Sequence, residues 1–300
     1  METLEALSRR IATTEELGAI VRTMKSLSAV SIRQYEAAAA ALHDYARTVD
    51  LALQALLRER ARIARAPRPA PGPAVVVVVG SDHGLCGRFN DDIARFACDR
   101  LRELDAAGAR GRCLAVGARA QARLAALGEP VDAALVLPAS VSGLTALAQA
   151  VLVQLDAWGG ADGLARVLLV HQRRTPEAIA APHVRQLLPL SPERLRNLAA
   201  RPWPSRRLPV FTLDPRQLFS TVVRQHLWSV VYRAATESLA SEHASRLVAM
   251  QAAERNIEEH LEEQRAEFRR RRQEAITGEL LDVLTGFEAS GGAAPAGLTW

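Results

Sequence analysis

The chain has 300 residues, of which 49% are hydrophobic, 24% charged and only 4% aromatic, and its formal net charge is +5. Such a balance excludes a globally disordered chain, and the modest excess of cations excludes a long basic tail for nucleic acid. Lys25 is the only lysine, so nearly all the positive charge is arginine, which together with the abundant alanine reads as a compositional bias.

From Leu4 to about Leu57 there is no proline, and Gly18 is the only glycine. Leu4, Leu7, Ile11, Leu17, Val21, Met24, Leu27, Tyr35, Ala38, Leu42, Tyr45, Val49, Leu53 and Leu56 recur in steps near three and four, the signature of a long helix with a narrow apolar stripe. At 1.5 Å per residue, roughly 50 residues reach about 80 Å. No compact domain buries such a helix along its whole length, so it needs a partner helix. The four prolines of Ala66 to Pro73 then predict a stiff connector.

The segment from Ala74 to Pro209 has a different character. Ala74 to Val79 is a β-branched run suited to a strand buried on both faces. Helices are predicted over Asp91–Leu104, Ala118–Leu127 and Leu144–Trp158, and further strands over Arg112–Val116 and Val167–His171. Strands alternating with helices imply a small, Rossmann-like α/β domain with a largely parallel sheet. Pro176 to Pro209 holds seven prolines and reads as hairpin or loop.

Asp214-Pro215 then starts a second long helix, aspartate as N-cap and proline at the first helical position. Leu218, Val222, Leu239, Leu247, Met250, Ile257, Leu261, Phe268, Ile276, Leu280 and Leu284 follow helical spacing. Roughly 70 residues would span about 105 Å. The two terminal helices solve each other's burial problem as an antiparallel coiled coil. Their stripes drift from a strict heptad, which predicts a loose, irregular supercoil. The expected division is a first long helix over 1–65, an α/β domain over 74–209, a second long helix over 210–290 and a flexible tail over 291–300.

Cys86, Cys98 and Cys113 lack metal-ligand spacing and cannot all pair, as expected of a reduced, intracellular protein. The start of the chain lacks the basic and apolar regions of a signal peptide. The longest strongly apolar run, Ala74–Val79, is too short to cross a bilayer, so membrane association is expected only through a partner.

Gly80 to Asn90 (Gly-Ser-Asp-His-Gly-Leu-Cys-Gly-Arg-Phe-Asn) lies between a strand and a helix, where α/β folds place ligand loops. It could cradle a phosphate, or Cys86 and His83 could form a nucleophilic pair. The glycine spacing matches neither a dinucleotide fingerprint nor a P-loop. The plainer reading is a structural turn built on Asp82, Gly84, Cys86 and Gly87. The histidines are scattered without a carboxylate constellation, so no metal or cofactor is expected. Arg269 to Arg272 is either a solvated helix face, with Glu267 and Arg271 as an ordinary i, i+4 pair, or a cationic collar for a partner.

Three stretches in order carry a family resemblance. Arg10-Ile11 and Ile20 through Ala29 are similar to R-I…I-T-x-A-M-x-M-V-S/A-A. Ser81 through Asn90 is close to S-D-R-G-L-C-G-G-F-N. Ser241 through Met250, then Arg272 through Leu280, resemble S-E-x-A-x-R-M/L-x-A-M and R-Q-x-x-I-T-x-E-L/I. These motifs resemble the γ subunit of F-type ATP synthases, the central rotor shaft.

The resemblance implies a helix pair in the bore of a ring of α and β subunits, with the α/β insert as a foot on the ε subunit and the membrane-embedded c-ring. It implies a peripheral position on the cytoplasmic face of the bacterial inner membrane, no cofactor, and no catalysis by this chain. Met24 and its neighbour Lys25 match positions near the acidic lever loops of the β subunits, and Arg246, Arg272, Gln273, Thr277 and Glu279 match shaft positions meeting the surrounding β loops. The sequence departs from the family at Glu15 to Gly18, at His83 and Arg88, at Phe287 and in the residues after Ser290. Those departures point to a divergent, alternative-type branch. Two other readings stay open: a small Rossmann-like enzyme or ligand-binding domain with a coiled-coil dimerisation arm, and a coiled-coil adaptor.

Overall fold

The computed structural model describes residues 3–60, 72–109, 111–160 and 163–289. Most of the proline-rich connector and the C-terminal tail expected from the sequence lie outside these residues. The elements in chain order are α1 (Leu4–Arg60), β1 (Ala74–Val79), α2 (Phe89–Ala106), β2 (Gly111–Val116), α3 (Ala118–Ala126), β3 (Ala133–Leu135), α4 (Leu144–Gly159), β4 (Arg166–Arg173), β5 (Ala181–Leu188), α5 (Pro192–Ala200) and α6 (Pro215–Ala289). The chain divides into two compact units, Met1–Lys25 with Met250–Trp300, and Ser26–Ala249.

In the first unit, the helix ends run antiparallel. Arg265 pairs with Glu15, Ile257 lies over Gly18, and Lys25 pairs with Glu254. A side chain at Gly18 would put its Cβ 3.3 Å from Ile257 Cγ2, so the glycine allows close approach there. On α1 the inward positions are Leu4, Leu7, Ile11, Thr14, Gly18, Val21 and Lys25, alternating steps of three and four. On α6 the partners are Met250, Ile257, Leu261, Gln264, Phe268 and Arg271. Both lists follow a heptad seam.

This seam corrects two expectations. The drift seen in the sequence came from counting apolar residues, whereas the buried stripe keeps its 3.5-residue period by admitting Thr14, Gly18 and Lys25. Leu17, expected in the stripe, is 51% exposed. Beyond Arg271 the α6 residues are nearly all exposed, so Ile276, Leu280 and Leu284 do not line the seam. The register explains this: the partner helix α1 starts at Leu4, about opposite residues 271–276.

In the second unit, the same alternation along α1 continues through Ser28, Ile32, Tyr35, Ala39, Leu42, Ala46, Val49, Leu53 and Leu56, and Leu27 is exposed. Tyr35 stacks on His243, and the Tyr45 hydroxyl donates to Gln225 Oε1 at 2.6 Å, again antiparallel. Asp214 Oδ1 caps α6 by accepting from the amides of Arg216 and Gln217.

The five-stranded sheet has the order β3-β2-β1-β4-β5, with β5 antiparallel to β4 and the other pairs parallel. Side chains of β1 alternate across it. Val75, Val77 and Val79 join α4, Tyr35 and the 230–240 stretch of α6 in one core; Ala74, Val76 and Val78 join α2 and Leu124 in the other. A third cluster packs Val49, Leu53 and Leu56 against Leu198 of α5 and Val222.

The sequence reading missed β3, only three residues long, and α5, whose Ser191 cap and Pro192 start lie inside the proline-rich stretch. The helix expected over Leu144–Trp158 is α4. With the preceding turn, Val141–Gly159 has a mean hydropathy of 1.2 and is long and apolar enough to cross a membrane by composition, longer than the Ala74–Val79 run expected to be the longest strongly apolar one. Its Leu144, Leu147, Val151, Leu152 and Leu155 pack into the first core, which accounts for the apolarity.

Gly117 has φ +109°, and a Cβ there would lie 2.7 Å from the Ser81 carbonyl oxygen. We expect Gly117→Ala to lower the stability of the full-length chain by about 1–3 kcal/mol, read from its urea-unfolding midpoint.

Candidate functional site

The strand order reverses between β1 and β4, both parallel to each other and flanked by β2 and β5. Open α/β sheets bind ligands in the crevice beyond the carboxyl ends of the strands at such a switch point. Here Ser81 to Arg88 follows β1, and α6 lies over the same end of the sheet.

Each conspicuous residue of this turn is engaged within the chain. Asp82 Oδ1 accepts from the Ala118 amide at 2.7 Å, and Oδ2 accepts from the Leu137 amide at 2.8 Å. One carboxylate therefore ties the turn to the start of α3 and to the segment after β3. The Ser81 amide donates to Asn90 Oδ1 at 3.1 Å, and Asn90 Nδ2 donates to Ser81 Oγ at 2.7 Å and Cys86 Sγ at 3.5 Å. Ser81 Oγ donates to the His83 carbonyl at 2.8 Å. Leu85 and Gly87 take left-handed φ values of +62° and +60°, which reverse the chain between Gly84 and α2.

The closure from α6 is equally specific. Ser238 Oγ donates to the Val79 carbonyl at 3.1 Å, and Glu237 Oε2 meets His171 Nε2 of β4 at 3.0 Å. Gln172 Nε2 donates to the Phe89 carbonyl. About two turns further along α6, the Arg246 guanidinium donates to the Gly84 carbonyl from Nε and Nη2, at 3.4 and 3.3 Å. Its Nη2 also pairs with Glu242 Oε1, and both side chains are at most 7% exposed. Glu242 Oε2 has no hydrogen-bond partner among the described residues. The crevice is thus filled by the chain's own helix, and Arg246 with Glu242 latches the turn to it.

Electrostatics follow from this burial. Desolvation pushes the Glu242 carboxyl up to about 7 against the pull of Arg246. Burial, helped by Arg246 and His83, drives His243 down to about 4 and keeps it neutral. Burial, then the nearby Glu242 charge, raises the Cys86 thiol above its usual range, opposite to what a nucleophilic thiolate needs. Cys86 Sγ approaches the His83 carbonyl at 3.8 Å, and no contact with the His83 imidazole stands among the described residues. No cluster of three metal-ligating side chains is found among them either.

The residues matched to shaft positions fall into three settings. Met24 and Lys25 are half-buried, and Lys25 is tied to Glu254. Arg272, Gln273, Thr277 and Glu279 are exposed on the outer part of α6. Arg246 differs from the outward role implied for it: its guanidinium turns inward, because the carbonyl of Gly84 and the carboxylate of Glu242 hold it. In the arginine run, Arg270 pairs with Glu267 and Glu274, and Arg271 with Glu267, as an i, i+3 and i, i+4 network along the helix. Arg272 has no ion-pair partner among the described residues. The latch was missed in the sequence because its members are 162 residues apart.

The ATP synthase family model matches residues 3–289. The chain is 28% identical over 286 residues to the ATP synthase gamma chain of Leptothrix cholodnii, covering 94% of this chain and 97% of that one. It is 31% identical over 216 residues to that of Ralstonia nicotianae, covering 72% and 74%. Among solved structures, it superposes on a chain of the Euglena gracilis mitochondrial ATP synthase rotor with a TM-score of 0.62 at 16% identity, covering 91% of this chain and 98% of that one. The chain belongs to the γ chains of the ATP synthases.

Removing Arg246 strands a buried carboxylate and a carbonyl. Arg246→Ala should destabilise the full-length chain by about 3–5 kcal/mol in urea titrations. Glu242, with a folded pKa of about 7 against an ordinary 4.5, binds its proton more readily when folded. Its contribution therefore falls as pH rises from about 4.5 to about 7 and stays level above that. Unfolding midpoints measured across that window should slope less in Glu242→Gln than in the parent.

Proposed function

We propose that this γ chain carries torque between an ion-driven c-ring and a catalytic ring of α and β subunits, and does no bond chemistry itself. The observation that carries this reading is the outer part of α6. Ile276, Leu280, Leu281, Val283, Leu284 and Phe287 are between 48% and 71% exposed. At 3.6 residues per turn, Ile276, Leu280, Val283, Leu284 and Phe287 fall within an arc of about 100°, with Leu281 just beyond it. An exposed apolar face of this kind is costly in water and suits an apolar wall around the helix. A smooth apolar sleeve permits rotation where a set of directional hydrogen bonds would resist it.

Charged and polar groups at defined heights then act as catches. Met24, Lys25, Arg272, Gln273, Thr277 and Glu279 are the residues we assign to contacts with β-subunit loops, Arg272 having a cation free for an acidic loop. An asymmetric shaft that touches each catalytic subunit differently at each angle biases its conformational equilibrium by differential contact. In this reading residues 1–65 and 210–290 form the shaft and residues 74–209 the foot, which meets the ε subunit and the c-ring. The assembly places the chain peripherally on the cytoplasmic face of a bacterial inner membrane, bound to the membrane through its partners.

The buried, protonated Cys86 and the occupied crevice weigh against an enzyme centred on that turn. The tagged chain purified from its native host should come away with α and β subunits in a large ATPase; elution alone, with a turnover abolished by Cys86→Ala, sinks the rotor reading. In the assembled complex, Met24→Lys should reduce ATP-driven ion pumping more than ATP hydrolysis, with subunit stoichiometry unchanged. Pumping that kept pace with hydrolysis would overturn the assignment of Met24.

A further inference from the structure

A second concentration of charge lies in the Ser26–Ala249 unit, away from the switch-point turn. A groove of about 450 Å³ is lined by His43, Arg47 and Asp50 of α1, Leu198 of α5, Arg201 and Pro202 just after it, and Arg233 of α6, among others. Its three arginines come from three separate segments, and none has an ion-pair partner among the described residues. That arrangement is unusual, because arginines brought together by folding repel one another unless a counter-ion joins them.

The carboxylate in the wall serves the groove arginines only in part, since Asp50 makes its ion pairs with His226 and Arg194 and only Arg201 of the three acts on it, from further away. Asp50 Oδ1 lies 3.4 Å from His226 Nδ1 and 4.0 Å from Arg194. Burial works against its charge, yet the hydrogen bond to His226 holds it below the usual carboxylate range, followed by the charges of His226, Arg194 and Arg201. Next to the groove, burial and then the neighbouring Arg194 and Arg233 lower the pKa of Arg185, a sign of crowded positive charge.

The walls are also held in place. The carbonyl of Arg201 accepts from Gln54 Nε2 at 2.6 Å and from Arg58, and Arg58 Nε donates to the Ala199 carbonyl at 3.2 Å. Gln54 is only 2% exposed. These bonds fix the backbone from which Arg201 projects, with Pro202 stiffening the rim. Guanidinium groups present planar forks of N–H donors that match phosphate oxygens. The volume falls within the range of small-molecule sites.

We propose that this groove binds a phosphate-bearing anion through Arg47, Arg201 and Arg233. The phosphate can belong to a soluble polyphosphate or to the headgroup of an anionic lipid; the chemistry recognised is the same. Arginines that line one groove from three segments would give a defined stoichiometry, which diffuse attraction to a basic surface does not.

Pyrophosphate titrated into the full-length chain by calorimetry tests this. Saturable binding at one site is expected, weakened about tenfold by Arg201→Gln and by Arg233→Gln, and unchanged by Arg270→Gln in the other unit. Unfolding midpoints equal to the parent's establish that each variant is folded; Arg47→Gln, at an exposed position, replaces Arg233→Gln should that one unfold. Absence of saturable binding, or an equal loss in Arg270→Gln, overturns the proposal. Co-sedimentation with phosphatidylglycerol vesicles, against phosphatidylcholine vesicles, separates the sources. Capture that pyrophosphate displaces supports a headgroup, and pyrophosphate binding without capture supports a soluble phosphate.

Discussion

A helix of 57 residues with one narrow buried stripe cannot be stable by itself in water, and the rest of this structure depends on how that stripe is covered. The second long helix, α6, supplies the cover by running antiparallel to α1. The seam alternates large apolar groups, such as Leu7, Tyr35, Leu42, Leu53 and Leu56, with smaller or polar ones. It accepts Gly18, Ser28, Ala39 and Ala46, which keep the helices close, and Lys25, paired with Glu254, while Leu17, Ile20, Leu27 and Val30 stay outside it and more than half exposed. A rotor needs this distribution. Apolar side chains left outside the seam stay available for a surrounding wall.

The α/β domain answers the same demand in another way. A doubly wound sheet offers a crevice at its switch point, and in an enzyme that crevice holds substrate or cofactor. In this chain α6 lies in it. Ser238, Glu237 and Arg246 replace the ligand with hydrogen bonds of their own, and Asp82 spends both carboxylate oxygens on backbone amides of neighbouring segments. A torque-bearing joint gains from rigid cross-links between a helix and a sheet. The buried Arg246–Glu242 pair is a costly way to make one, since desolvation consumes much of the attraction, but breaking it would leave a buried charge unpaired. Such a latch adds directionality more than net stability.

Much of the architecture was legible in the chain. The valine run of β1, the helices from Asp91, Ala118 and Leu144 and the cap at Asp214 all lie within a few residues of their predicted places, because each depends on local propensity and hydrophobic period. The misses share a cause. β3 is too short to carry a period, and α5 sits among prolines whose usual meaning is a break. The exact seam was hidden because apolar residues on the outside of α1 compete in the count with small residues inside it.

The functional turn shows the division most sharply. By itself the sequence determined that Ser81 to Asn90 is a tight, glycine-rich connection between a strand and a helix, since glycine spacing and the flanking periods are local facts. It also determined that the two ends of the chain need each other. Only the tertiary structure decided that Arg246 faces inward, that Cys86 is buried and protonated, and that Arg47, Arg201 and Arg233 share one groove. Those outcomes depend on which side of a long helix meets which loop more than a hundred residues away. Burial and charge pairing at such distances are set by the packing of whole elements, and no pattern within a single segment records them.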